Sequence, residues 1–219
     1  MQQADVIALG ISYVYVFAVI MASELLGRFV FHGSTSFTRK FVHVGVGMWV
    51  IGTVALFKSW QFAIIPPLSF VLINYISYRK NVFTSIESKD KTNLGTVYFP
   101  ISFALIIAVC WARPEVVVAG LMPMTWGDAL AAVVGERWGR HRHPFYTHMK
   151  SWEGSIAMLL ISFVAVLLAL MAFGVATPTA IAAAGLVCAA ATLAEGLTPW
   201  GLDNLTVPFV SALLLWIVV

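Results

Sequence analysis

Apolar residues fall along the chain in eight blocks, at roughly 5–27, 41–57, 60–78, 94–112, 115–135, 154–173, 178–196 and 204–219. Most approach the ~20 residues a helix needs to cross the hydrocarbon of a bilayer. The connections between blocks alternate sharply in charge. The first, third and fifth hold Arg28, Arg39, Lys40, Arg79, Lys80, Lys89, Lys91, Arg137, Arg140, Arg142 and Lys150, whereas the second, fourth and sixth hold only Lys58 and Arg113. The positive-inside rule places the odd-numbered connections in the cytoplasm. Both termini then face outward. One helix more or fewer would scramble the alternation, so the pattern predicts an even count.

Composition strengthens this reading. The chain is 219 residues long, 60% apolar and only 11% charged, against about 25% charged in soluble domains. Too few charges remain to wet a surface. The expectation is an all-α, polytopic integral membrane protein of about eight transmembrane helices, one membrane-embedded domain over 1–219. The first basic residue is Arg28, so the positive n-region of a secretory signal is missing and the first block reads as a retained helix. Cys110 and Cys188 lie inside apolar blocks without a Cys-x-x-Cys pair, and read as small core residues. The net charge of +3 does not point to nucleic acid, because the basic residues sit at helix ends where the bilayer is the partner. Oligomeric state is not legible.

Acidic residues at membrane depth are the first sign of chemistry. Glu24, Asp128 and Glu195 lie in or at the ends of apolar blocks, with Glu153 and Asp203 at cytoplasmic helix ends. A carboxylate there costs about 2.5–3.5 kcal/mol even on lenient insertion scales. Any one of them could pair with an Arg or cap a helix. All five fall on the cytoplasmic half of the predicted topology, and that convergence favours a site at the cytoplasmic face.

Three segments and one short motif carry the candidate groups. In "TWGDALAAVVGERWGRHRHPF", Asp128 is flanked by Gly127, Ala129, Ala131 and Ala132, with Gly135 and Gly139 following. Small residues so spaced let a neighbouring helix approach closely, which explains the glycines and leaves Asp128 unexplained. Arg137, Arg140 and Arg142 suit phosphate oxygens, or equally supply inside charge and lipid-headgroup contacts. In "MKSWEGSIAM", Ser151 is a plausible N-cap, with Gly154 and Ser155 in the first turn. A helix N-terminus attracts phosphate, and Lys150 adds a point charge. Glu153 fits as a capping residue or as a ligand of a divalent ion. The alternative for this stretch is an ordinary cap with an interfacial Trp152 and a snorkelling Lys150. In "AEGLTPWGLDNLTVP", Asp203 and Asn204 are adjacent oxygen donors, and Glu195 lies eight residues earlier. Such ligands suit magnesium. Pro208 falls early in the last helix, where it is tolerated. Arg39, Lys40 and His43 form R-K-x-x-H, with His43 a base, a phosphate donor or an interfacial residue. His141, His143 and His148 have no zinc-ligand spacing. Basic groups, a helix start and carboxylates at one membrane face are the equipment of phosphoryl or nucleotidyl transfer.

These motifs also resemble a family. R-K-x-x-H from Arg39, "GDALAAVVGERWGR" from Gly127, "KSWEGSIAM" from Lys150 and "GLDNLTVP" from Gly201 are similar to the membrane-embedded polyprenol kinases, and most of all to their phytol and farnesol kinase branch. The likeness covers most of the chain from residue 39, in the same motif order. It implies transfer of the terminal phosphate of CTP to the hydroxyl of an isoprenoid alcohol such as phytol or geranylgeraniol, with magnesium. On that resemblance Asp128 binds the metal or orients the alcohol, and Lys150 with the amides from Ser151 to Ser155 binds the triphosphate. Asp203 and Asn204 complete the metal site, while Arg39, Lys40 and His43 line the nucleotide entrance. A second reading is a CTP:phosphatidate cytidylyltransferase, whose K-T-x-E-G helix start is similar to Lys150–Gly154. Its basic C-terminal stretch has no counterpart here, since no Lys or Arg follows Lys150. A third reading is a transporter or scaffold for anionic lipids, against which the one-sided polar cluster argues.

Overall fold

The computed structural model describes residues 2–29, 35–80, 93–145 and 148–219. Lys89 and Lys91, counted above among the inside charges, lie outside these residues, as do the side chains of His143 and His148. Each apolar block reappears as a helical stretch. The helices are α1 (Gln2–Phe29), α2 (Thr35–Leu56), α3 (Trp60–Ala63), α4 (Ile65–Lys80), α5 (Gly95–Cys110), α6 (Pro114–Met122), α7 (Ala129–Trp138), α8 (Trp152–Ala172), α9 (Thr177–Leu197) and α10 (Asp203–Val218). A π-helical stretch, Pro123–Asp128, joins α6 to α7. Among the described residues, five stretches are long and apolar enough to cross a bilayer: Gln3–Phe29, Trp60–Lys80, Pro114–Trp138, Trp152–Ala172 and Thr177–Leu197. Gly95–Cys110 and Asp203–Val218 are apolar but shorter, and α2 carries Arg39 and Lys40 near its start.

One element was not expected. The basic connection after α7 contains an antiparallel hairpin, β1 (Arg142–Phe145) and β2 (His148–Ser151), in which Arg142 pairs with Ser151 and His143 with Lys150. No alternating apolar pattern marks it, because its strands are short and largely polar.

The chain folds as two compact units, residues 1–109 and 110–219. In the first, α1 packs on α2 through polar contacts as well as apolar ones. The Tyr15 ring stacks on Trp49 at 4.6 Å, the Tyr15 hydroxyl donates to Gly45 O at 2.8 Å, and Trp49 Nε1 donates to Ser12 Oγ at 3.1 Å. Asp5 is buried where α1 meets the turn after α2, accepting the Lys58 N–H at 2.6 Å and the Ser59 hydroxyl at 3.1 Å. A buried carboxylate persists there because its lone pairs are used.

In the second unit, α6 is enclosed. Every residue from Val116 to Met122 is buried, and Gly120 lies so close to α10 that a Cβ on it would sit 3.1 Å from Ala212 Cα. Pro123 then removes a backbone donor at the start of the π-helical stretch, a place where the backbone widens most readily. The helix α8 shows the pattern of a lipid-facing element. Met158, Ser162, Val166 and Leu170 are buried at four-residue spacing, while Ile156, Leu160, Val164 and Leu168 form a parallel exposed stripe. A continuous exposed apolar stripe is costly in water and natural in hydrocarbon.

Candidate active site

The start of α8 meets the end of α7 over glycines. A Cβ on Gly154 would lie 3.1 Å from Ala131 O and 3.5 Å from Gly135 Cα, and one on Gly139 would lie 2.7 Å from Ser151 Oγ. These glycines therefore serve close helix packing, as their spacing suggested. Ser151 is the N-cap of α8, its Oγ accepting the Gly154 N–H at 3.1 Å. The Trp152 N–H donates to His141 O at 3.0 Å. Two donors of the first turn are thus already engaged, which leaves Lys150 as the prominent positive group at this helix start.

Lys150, on β2, points its ammonium into a group of acids. It donates to the Glu195 carbonyl at 2.6 Å, forms a short ion pair with the Glu195 carboxylate, and lies 3.6 Å from Asp203 Oδ2. Burial works to lower its pKa, but the pull of Glu195, Asp203 and Asp128 outweighs this and holds the group above its usual value. It stays a cation at neutral pH.

Asp128 ends the π-helical stretch, Glu195 lies near the end of α9, and Asp203 opens α10. Carboxylate oxygens of the three lie within 4.8 Å of one another. Fully ionised, each pair at that separation would repel by about 3.5 kcal/mol at an effective dielectric of ~20. One ammonium offsets only part of this. Three hard oxygen donors carrying excess negative charge fit a divalent cation of the magnesium type.

The α9–α10 turn places Asp203 opposite Glu195. Trp200 (φ 57°) and Gly201 (φ 80°) both adopt left-handed backbone, which is easy for glycine and costs about 1–2 kcal/mol for a bulky residue such as Trp. The Thr198 and Thr206 hydroxyls meet at 3.0 Å across the turn. Asn204 donates its side-chain amide to Gly201 O and Asp203 Oδ1, both at 3.1 Å, and its backbone N–H to Asp203 Oδ1 at 3.0 Å. This amide orients Asp203 and holds the turn. The Asp128 carboxylate makes no hydrogen bond with another described residue, and is in that sense the open one of the three.

Glu153 is not among the three clustered acids; it binds His141, through the ring Nδ1 at 2.7 Å and the backbone N–H at 3.2 Å. Ser155 is half-buried in the first turn of α8. Arg137 and Arg140 are exposed at the end of α7, with the Arg137 guanidinium 5.2 Å from the Trp138 ring centre. Arg39, Lys40 and His43 belong to α2 in the first unit. There Lys40 is buried, Arg39 half-buried, and the His43 ring packs 4.4 Å from that of Phe99. Glu24 is half-buried on α1. The residue that spacing missed is His141, whose tie to Glu153 depends on the hairpin between them.

No protein-family model matches the chain, and neither does any solved structure. Curated relatives do. A phytol kinase of Synechocystis sp. is 38% identical over 216 residues, covering 96% of this chain and 91% of the relative. A probable chloroplastic phytol kinase of Oryza sativa is 29% identical, covering 80% of this chain and 62% of the relative. The chloroplastic farnesol kinase of Arabidopsis thaliana is 26% identical, covering 74% and 56%. With a match above 30% identity running through nearly the whole of both chains, the chain belongs to the polyprenol kinase family, in its phytol and farnesol kinase branch.

Proposed function

We propose that this protein transfers the terminal phosphate of CTP to the hydroxyl of an isoprenoid alcohol, such as phytol or geranylgeraniol, at the cytoplasmic face of a membrane it spans eight times. Its family membership supports the reaction class. The observation that carries the site is the trio Asp128, Glu195 and Asp203 gathered around Lys150 at the start of α8.

Asp128, Glu195 and Asp203 are the residues that would hold magnesium. Bound there, the ion supplies neutralisation of charge on the phosphate oxygens during transfer. The protein's own groups do the rest by positioning. Lys150 offers its ammonium to the phosphates, and its raised pKa keeps it charged for that purpose. Asp128, the open carboxylate, accepts the hydrogen bond of the alcohol and orients its oxygen toward the terminal phosphorus. The new O–P bond forms as the bond to the CDP oxygen breaks, and the hydroxyl proton passes to the acidic group. Asn204 keeps Asp203 aimed inward. The apolar stripe of α8 faces lipid, the phase in which a prenyl chain is dissolved.

The test is purified protein in detergent with magnesium and CTP labelled at either the alpha or the gamma phosphate. Geranylgeraniol or phytol is offered in one tube and phosphatidic acid in another. Gamma label in the alcohol is the expected result. Alpha label in the phosphatidic acid would show cytidylyl transfer and overturn the proposal.

A further inference from the structure

The hairpin presents Lys150 to the acidic cluster. Its strands are four residues each, and an isolated two-stranded hairpin is marginal in water. Its register also matters more than usual. Successive residues of a strand point to opposite faces, so a slip by one residue exchanges the faces of the whole strand. Here neighbouring residues have distinct tasks. Lys150 reaches Glu195 and Asp203, while Ser151 caps α8 and lies against Gly135. A one-residue slip of β2 would turn the ammonium away from the acids and remove the cap.

The open end of the hairpin is held at one residue. His141 immediately precedes β1, and both of its backbone polar groups, the N–H and the C=O, are engaged by the first turn of α8. Its N–H donates to the Glu153 carboxylate, 3.2 Å from Oε1 and 3.3 Å from Oε2, and its C=O accepts the Trp152 N–H at 3.0 Å. The His141 ring adds a third tie at 2.7 Å from Glu153 Oε1. The adjoining pair in the ladder is Arg142 with Ser151. Glu153 therefore grips the chain one residue before the position that must stand opposite the cap.

From this geometry we infer that Glu153 is a positioning residue, neither a metal ligand nor a base: it straps His141 to the start of α8, and so fixes the hairpin register that delivers Lys150 to the nucleotide phosphates. The inference rests on the proposed role of Lys150 in binding CTP. Its structural half, the strap, stands apart from that role and is read separately.

The experiment compares Glu153→Ala and Glu153→Gln with the unaltered protein, full-length in detergent, by two measurements. One is kinetics with CTP and magnesium. The other is the rate of tryptic cleavage after Arg140, Arg142 and Lys150, which follows the hairpin whatever the reaction. Glu153→Ala is expected to raise the KM for CTP about tenfold, the scale of a lost charge-assisted hydrogen bond, with kcat within about twofold and cleavage clearly faster. Glu153→Gln keeps a carbonyl acceptor for the His141 N–H, and is expected to restore most of both. His141→Ala, which removes the ring tie alone, gives a smaller change in the same direction. A collapse of kcat or a raised magnesium requirement, unrelieved by Gln and with cleavage unchanged, would overturn the inference and make Glu153 part of the metal site. Unchanged KM and unchanged cleavage would also overturn it. If Glu153→Ala does not fold, the Gln and His141 variants carry the same comparison. If the unaltered protein does not use CTP, the functional reading fails, while faster cleavage would still establish the strap.

Discussion

Under the proposed function Lys150 answers two demands at once: its ammonium is the counter-ion of Glu195, and it would bind the CTP phosphates. Lys150→Ala is expected to weaken CTP binding tenfold or more and to leave lipid binding nearly unchanged, as measured by titration of each ligand. Equal CTP affinity in the variant would reduce the lysine to a counter-ion. The same change strands a buried carboxylate, so the double variant Lys150→Met, Glu195→Gln should unfold at a higher temperature than Lys150→Ala alone. Asp128 has the simpler assignment. With its carboxylate open and its neighbours close-packed, Asp128→Asn should cut turnover by about a hundredfold or more while the protein elutes in detergent unchanged. Substantial retained turnover would remove Asp128 from the chemistry.

At the scale of elements, the site depends on how closely α8 approaches the chain from Gly127 to Gly139. A Cβ on Gly127 would lie 2.7 Å from Met158 Sδ, deep between buried side chains, whereas one on Gly154 would press on Ala131 O at 3.1 Å. Overpacking of this kind costs about 1–3 kcal/mol. Gly127→Ala and Gly154→Ala should each lower the thermal unfolding midpoint in detergent, with Gly127→Ala the worse because its Cβ would clash at the shorter distance. Ser151→Ala removes the cap of α8 and should cost about 1 kcal/mol, visible in the same assay. A variant as stable as the unaltered protein would mean the two helices can part without loss.

For the whole molecule, the proposed topology puts the segment from Arg137 to Lys150 on the cytoplasmic side and the α5–α6 connection on the outer side. Cys110 and Cys188 are buried, so single cysteines introduced as Arg140→Cys and Ala112→Cys can be read against a quiet background. A membrane-impermeant maleimide applied to intact cells should label Ala112→Cys and spare Arg140→Cys until the membrane is opened. The reverse pattern would overturn the topology. Chelation bears on the whole reaction. Removal of divalent ions with EDTA should stop turnover, and magnesium should restore it, because the clustered acids carry more negative charge than Lys150 balances. Activity that persists in EDTA would rule out the metal role of the three acids.

The sequence alone determined the membrane class, because hydrophobicity is a property of each residue and survives any folding. Among the described residues it also marked the helical stretches, most of them to within a few residues although α2 starts six residues before its apolar block, together with the Ser151 cap and the packing role of the glycines. These are local matters of periodicity, backbone freedom and steric size. It named Asp128, Glu195 and Asp203 as candidates from the cost of charge at membrane depth, and Lys150 as a point charge beside a helix start. What it could not determine was which acids share one position. Glu153 and Glu195 looked alike in the chain, and only the tertiary structure sends the first to His141 and the second to Lys150. The hairpin was invisible, since its short polar strands are held from outside by Glu153 and the start of α8. The turn that brings Asp203 beside Glu195 required Trp200 in a left-handed conformation. No local preference of Trp announces that, because the surrounding contacts impose it.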